Sequence, residues 1–235
     1  MKIRITLFLL AFNLVSAQKK MHYSEIKLLG QSIPEFYNEQ ILLLKEVGIA
    51  FENMKNEALK EGIKIEIISA FRSYDRQKAI WNRKFRSNEK SGLSPIQNIR
   101  KIIEYSTLPG TSRHHWGTDI DIVDGNITPI GDVLVEENFH GDGPYVKLRE
   151  WMDINAEKFG FFRPYNNNSK RKGFKYEPWH YSYAPLAIPM LEAYNKLNLN
   201  DLLVQKDLEG YQYLNKEFLI EYKKEYILGI SKCLK

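Results

Sequence analysis

The chain has 235 residues, 43% of them hydrophobic, enough for one cored domain with or without an extension, and a mildly basic formal charge of +5. Its single cysteine, Cys233, excludes an internal disulfide, so the fold must rest on its core. Aromatic residues make up 13% and read first as core filling; beyond the N-terminus no apolar stretch is long enough to cross a bilayer.

Residues 1–17 read as a signal peptide. Lys2 and Arg4 precede an apolar run from Ile5 to Val15 broken only by Asn13, and Val15-Ser16-Ala17 is a small-residue cleavage site. The expectation is an exported protein, periplasmic or extracellular, with no stable membrane insertion after cleavage. No cysteine follows the site, so a lipid anchor is not indicated. Cleavage removes two positive charges and no negative one.

Pro34 to Glu61 is predicted as a helix, with Pro34 in its first turn, Gly62 as its stop and Ile41, Leu44, Val47, Phe51 and Met54 along one face. Ile63 to Ala70 reads as a strand. Ser73 suits the N-cap of a following helix that carries Ile80, Trp81 and Phe85, which leaves Arg72 at the strand-to-helix junction. Residues 87–95 read as a loop and Pro109-Gly110 as a turn. Thr118 to Val123 alternates as a short strand, closed by the hairpin-type signal Asp124-Gly125. Residues 126–144, with His140, are loop-like. Val146 to Phe159 reads as a helix stopped by Gly160. The basic stretch 166–172 is a solvated polar loop rather than a nucleic-acid site. Tyr176 to Tyr183 reads as a strand, and residues 186–235 as a mainly helical C-terminal extension. Together these elements make an α+β domain, a few strands with helices on their outer face.

Five histidines occur, and three of them sit in two dense polar clusters: Ser112 to Asp121, with His114, His115, Asp119 and Asp121, and Glu177-Pro178-Trp179-His180. A catalytic zinc takes three protein ligands from His and carboxylate and leaves one position open. His114, Asp121 and His180 can supply them, with Glu177 as a neighbouring base. Pro178 excludes a helical zinc motif there. On an unbroken strand His115, Asp119 and Asp121 share one face and His114 points away; a break at Gly117 reverses that choice, and spacing leaves both open. Singly, each residue is commonplace as a structural group. Together they favour a metal site.

The pattern Ser112-x-His114-(x)6-Asp121 followed by Glu177-x-Trp179-His180 resembles the D-alanyl-D-alanine carboxypeptidase family of the VanY type, related in fold to lysostaphin-type peptidases and the Hedgehog signalling domain. Phe71 to Gln77 and the stretch Trp151 to Tyr165 also resemble that family, and the likeness spans roughly residues 30–185. It implies a catalytic domain over residues 18–185 with a small antiparallel sheet carrying one zinc ion. It implies His114, Asp121 and His180 as zinc ligands, deciding for His114 over His115, and Glu177 as base. It further implies Arg72 as a catalytic group binding substrate or the oxyanion, with Gln77 and Ser112 in the substrate pocket. Asp119 departs from the family, which often has alanine there; a second carboxylate tunes ligand basicity, competes for zinc, or points into a polar surrounding shell.

The activity so implied is zinc-dependent hydrolysis of the terminal D-Ala-D-Ala bond of peptidoglycan stem peptides. An endopeptidase or L,D-carboxypeptidase on the same wall peptides is the alternative within the enzyme class, and a zinc- or peptide-binding module without catalysis the alternative outside it. Glu177 and Arg72 weigh against the last.

Overall fold

The computed structural model describes residues 23–199 and 206–235. The expected signal peptide and His22 lie outside the described residues. The short helix α1 (Glu25–Leu28) buries Leu28. The first long helix, α2, spans Lys45–Lys60 and so begins well after Pro34. The segment from Pro34 to Leu44 has competing bonds of its own. The Asn38 carboxamide oxygen accepts from the backbone N–H groups of Gln40 and Ile41 at 3.0 and 2.7 Å, and Phe36 bridges to Leu44. Such side-chain-to-backbone bonds offer the chain an alternative to helix. Leu44 N then donates to Gly117 O at 3.0 Å, which ties this segment to the loop carrying His114. Gly62, at φ +77°, ends α2 as expected.

β1 (Ile65–Ser69) leads into α3 (Tyr74–Lys90), whose N-cap Ser73 accepts from Arg76 N at 3.2 Å. α3 runs to Lys90, so the predicted loop shrinks to the few residues before α4 (Pro95–Ile102). Then follow β2 (Asp119–Asp124), α5 (Val146–Asn155), β3 (Phe161–Phe162), β4 (His180–Tyr183) and α6 (Ala184–Tyr194). Asp124-Gly125 ends β2 in a turn but forms no hairpin: β2 lies between β1 and β4 in a four-stranded antiparallel sheet of order β1-β2-β4-β3. β4 is shorter than predicted because Pro178 and Trp179 form a turn in which His180 N bonds Glu177 O at 3.2 Å.

Ile120 and Ile122 of β2 pack in a core with Val47, Phe51 and Met54 of α2 and Trp151 and Met152 of α5. The alternate residues of the strand, Asp119 and Asp121, are also buried. A second core joins Trp81 and Phe85 of α3 to Ile99, Trp116 and Tyr194, and to Leu208, Leu219, Tyr222 and Leu234 near the C-terminus. Tyr222, on α7 (Lys216–Tyr222), accepts a hydrogen bond from Leu108 N at 3.0 Å. The described C-terminal residues are thus packed into the same body that carries the site.

Candidate metal centre

The register of the sheet sets the centre. Asp121 of β2 stands directly across from His180 of β4, and Asp119 from Ser182, so the four side chains share one face of an antiparallel pair. Arg113–Trp116 forms a single 3₁₀ turn, closed by Gly117 at φ +69°, a conformation that suits glycine. This turn breaks the strand phase before β2 and brings His114, not His115, against Asp121.

His114 Nδ1 donates to the Ala70 carbonyl at 2.7 Å, which leaves its Nε2 facing Asp121 Oδ2 at 3.3 Å. His180 Nδ1 lies 3.6 Å from Asp121 Oδ1 and the two imidazole centroids are 4.8 Å apart. A register shift between Ile67 and Ser69 bends β1 and carries Ala70 and Arg72 towards this point.

One ligand atom each from His114, Asp121 and His180 fits within a 4.8 Å circle. A tetrahedral ion with bonds of about 2.0–2.1 Å needs donor atoms about 3.4 Å apart, and the two imidazoles stand close to that distance from Asp121, 3.3 Å from its Oδ2 and 3.6 Å from its Oδ1. Asp121 Oδ1 is buried without a hydrogen-bond partner among the described residues, as expected of an oxygen reserved for a cation. Two imidazoles and one carboxylate are a donor set suited to zinc.

His180 is held at both nitrogens. Nε2 lies 2.9 Å from Asp119 Oδ2 and Nδ1 lies 2.8 Å from Glu177 Oε2. Burial disfavours the imidazolium, but Asp119 and Glu177 outweigh it and raise the His180 pKa to about 10 in the metal-free site. Asp119 points away from the ion position. It accepts from Arg113 Nε at 2.9 Å and from the hydroxyls of Thr118 and Ser182, both at 2.7 Å. Burial would raise its pKa, yet Arg113 and His180 hold it well below the usual carboxylate range. Asp121 behaves alike: burial opposes ionisation, and His114, His180 and Arg72 draw it down to about 2.

His115 is occupied elsewhere. Its Nδ1 donates to Arg72 O at 2.5 Å, its Nε2 accepts from Gly110 N at 3.0 Å, and burial pushes its pKa down to about 3. His140 meets the Tyr176 hydroxyl at 3.3 Å, outside the cleft.

A cleft of about 540 Å³ opens over His114, Asp121 and His180, lined also by Arg72, Ser112 and Glu177. Arg72 donates to Ser69 Oγ at 2.9 Å and Gln77 Oε1 at 3.0 Å, and its guanidinium stands 3.7 Å from Asp121 Oδ2. Gln77 is wholly buried, gives its amide to Thr107 O at 2.8 Å, and does not line the cleft, so it holds Arg72 rather than reaching into the binding space. Glu177 N donates to Tyr165 O at 3.0 Å, and the Pro178 turn sets the Glu177 carboxylate beside His180 Nδ1 in the cleft wall. Arg113 and Ser182, which brace Asp119, were not legible as site residues. Arg113 is 4% exposed, an unusual burial for an arginine, and sequence pattern carries no signal of that.

A family model described as VanY, D-alanyl-D-alanine carboxypeptidase, matches residues 40–186. A D-alanyl-D-alanine carboxypeptidase of Enterococcus faecalis is 25% identical over 167 residues, covering 71% of this chain and 53% of the relative. Among solved structures, VanYB in complex with D-alanine-D-alanine is 22% identical with a TM-score of 0.51, covering 70% of this chain and 83% of the other. The vancomycin-resistance D,D-pentapeptidase VanY in complex with Zn(II) is likewise 22% identical with a TM-score of 0.50, covering 74% and 84%. These two likenesses speak to the fold, whose small antiparallel sheet matches expectation. The chain spans about half the length of the curated relatives it matches.

Proposed function

The chain belongs to the VanY family of D-alanyl-D-alanine carboxypeptidases, and from that premise we propose that it is an exported zinc metallopeptidase removing the terminal D-alanine of peptidoglycan stem peptides. The observation that carries this reading is the triad His114, Asp121 and His180 gathered around an unpartnered buried carboxylate oxygen, with Glu177 beside it. Export rests on the sequence of residues 1–17. No helix among the described residues is long and apolar enough to cross a membrane, which is compatible with that destination.

His114 through Nε2, Asp121 through a carboxylate oxygen and His180 through Nδ1 would hold the ion. When bound, zinc supplies Lewis acidity that makes a water nucleophilic near neutral pH and polarises the scissile carbonyl. Glu177 takes the water's proton as general base and later delivers it to the departing amine nitrogen of D-alanine. Arg72, steadied by Gln77 and Ser69, faces the charge that develops on the carbonyl oxygen. Ser112 stands in the cleft wall as a hydrogen-bonding group for the peptide. Asp119 orients the His180 ring from behind, and the buried cluster of Arg113, Thr118 and Ser182 fixes Asp119 in turn.

The test is incubation of the zinc-loaded protein with a defined pentapeptide stem, followed by product mass. Loss of one terminal D-alanine, absent with chelator, is the expected result. A product cut inside the stem would replace this reading by the endopeptidase or L,D-carboxypeptidase one, and no cleavage of any wall peptide would contradict it.

A further inference from the structure

Lys84 takes no part in the machinery described so far. α3 turns Ile80, Arg83 and Lys84 towards the cleft at spacings of three and four, one helical face. The Lys84 side chain is half-buried, and among the described residues no carboxylate or carbonyl accepts a hydrogen bond from its ammonium. Burial lowers its pKa, and the neighbouring Arg72 and Arg83 act in the same direction, against weaker opposition from Glu177 and Asp132. A desolvated ammonium beside other cations is unfavourable unless an anion completes the arrangement. The residues that could supply that anion do not. Asp132, Glu136 and Glu137 also line the cleft, but none of them is hydrogen-bonded or ion-paired to Lys84. Arg72 already spends donors on Ser69 and Gln77 and faces Asp121, so it is not free to serve as the main receptor for a second charge. Among the described residues lining the cleft, Arg83 also lacks a hydrogen-bonded or ion-paired partner but is exposed to solvent, so Lys84 is the half-buried uncommitted cation, within electrostatic reach of both Arg72 and Glu177.

We propose that Lys84 is a specificity-determining residue that pairs with a carboxylate of the bound peptide. This rests on the stem-peptidase reading and refines it. If the carboxylate is the C-terminal one, Lys84 makes the enzyme an exopeptidase; if it belongs to an acidic residue within the stem, Lys84 reads the stem's composition.

The experiment compares wild type, Lys84→Met and Lys84→Arg on three zinc-dependent substrates: a stem pentapeptide, the same peptide with a C-terminal carboxamide, and the same peptide with its internal carboxyl amidated. Loss of a charge-assisted hydrogen bond predicts that Lys84→Met raises KM roughly 10- to 100-fold with little change in kcat. Lys84→Arg, which keeps the charge, should recover most of the loss. The penalty should vanish on one of the two amidated peptides, and that peptide names the carboxylate. An unchanged KM in Lys84→Met, or a penalty of equal size on all three peptides, overturns the proposal. Calorimetric binding of the same peptides to zinc-loaded Glu177→Gln protein, with and without Lys84→Met, reads the pairing without turnover. Wild type that binds the peptides in a Lys84-dependent way yet cleaves none would sink the peptidase reading and leave the pairing standing; cleavage indifferent to Lys84 would do the reverse.

Discussion

Nε2 of His180 lies 2.9 Å from Oδ2 of Asp119, an arrangement that turns the other ring nitrogen, Nδ1, towards Asp121. The carboxylate that departs from the family pattern is therefore not a rival for the ion. It braces the His180 ring, and it balances the buried Arg113.

Asp119→Asn keeps the shape and removes the charge. The His180 ring loses its anionic support and Arg113 is left without a counter-charge at 4% exposure. Zinc affinity should fall roughly 10- to 100-fold, and stability by about 3 kcal/mol or more. Competition with a chromogenic chelator and thermal unfolding measure the two effects. Unchanged zinc affinity would mean that Asp119 does not orient His180.

Glu177→Gln should bind zinc in the same one-to-one ratio as wild type and lose on the order of 10² or more in kcat, the usual loss for a positioned acid–base group. Metal analysis alongside steady-state kinetics separates the effects. A metal-loaded variant with full activity would remove Glu177 from the mechanism.

Zinc binding should be strongly pH-dependent. In the metal-free site Asp119 and Glu177 keep His180 protonated below a pKa of about 10, so the ion must expel that proton. Since the group is protonated below its raised pKa, apparent affinity weakens as pH falls, by about tenfold per unit for each proton displaced. Titrations between pH 6 and 8 in buffers of differing ionisation enthalpy give both slope and proton count. A flat profile would contradict the arrangement around His180.

The C-terminal residues should be indispensable to the fold. Leu208, Leu219 and Tyr222 pack with Trp81 and Phe85 of α3, the helix that follows Arg72. Each buried side chain of this size contributes about 1.5–3 kcal/mol, and a domain holds only about 5–15 kcal/mol in all. A chain ending at Leu199 should lose cooperative unfolding by circular dichroism. Wild-type stability in that protein would make the C-terminal residues a dispensable appendage.

The sequence singled out His114, Asp121 and His180 because such residue types are scarce and clustered: three of five histidines lie in two segments at short strands, each with an acid close by. It carried α3 for the same kind of reason, since Ser73 and the apolar spacing of Trp81 and Phe85 agree on one helix. What it could not carry were effects decided by partners far along the chain. Pro34 reads as a helix start, but Asn38 captures the local backbone and Leu44 is drawn to Gly117. Spacing alone left His114 and His115 undecided, because the 3₁₀ turn that separates them depends on both rings finding carbonyls, at Ala70 and Arg72, brought near by β1. Gln77 was expected in the substrate pocket and instead lies beneath Arg72, a distinction of one helical face that only packing decides.

The most direct measurement is a crystal structure of the zinc-loaded protein with diffraction data collected on both sides of the zinc absorption edge. One anomalous peak is expected, about 2.0–2.2 Å from His114 Nε2, an Asp121 carboxylate oxygen and His180 Nδ1, with the Glu177 carboxylate beside the open position. A peak coordinated by other residues, or none at this triad in protein that cleaves the stem peptide, would contradict the account.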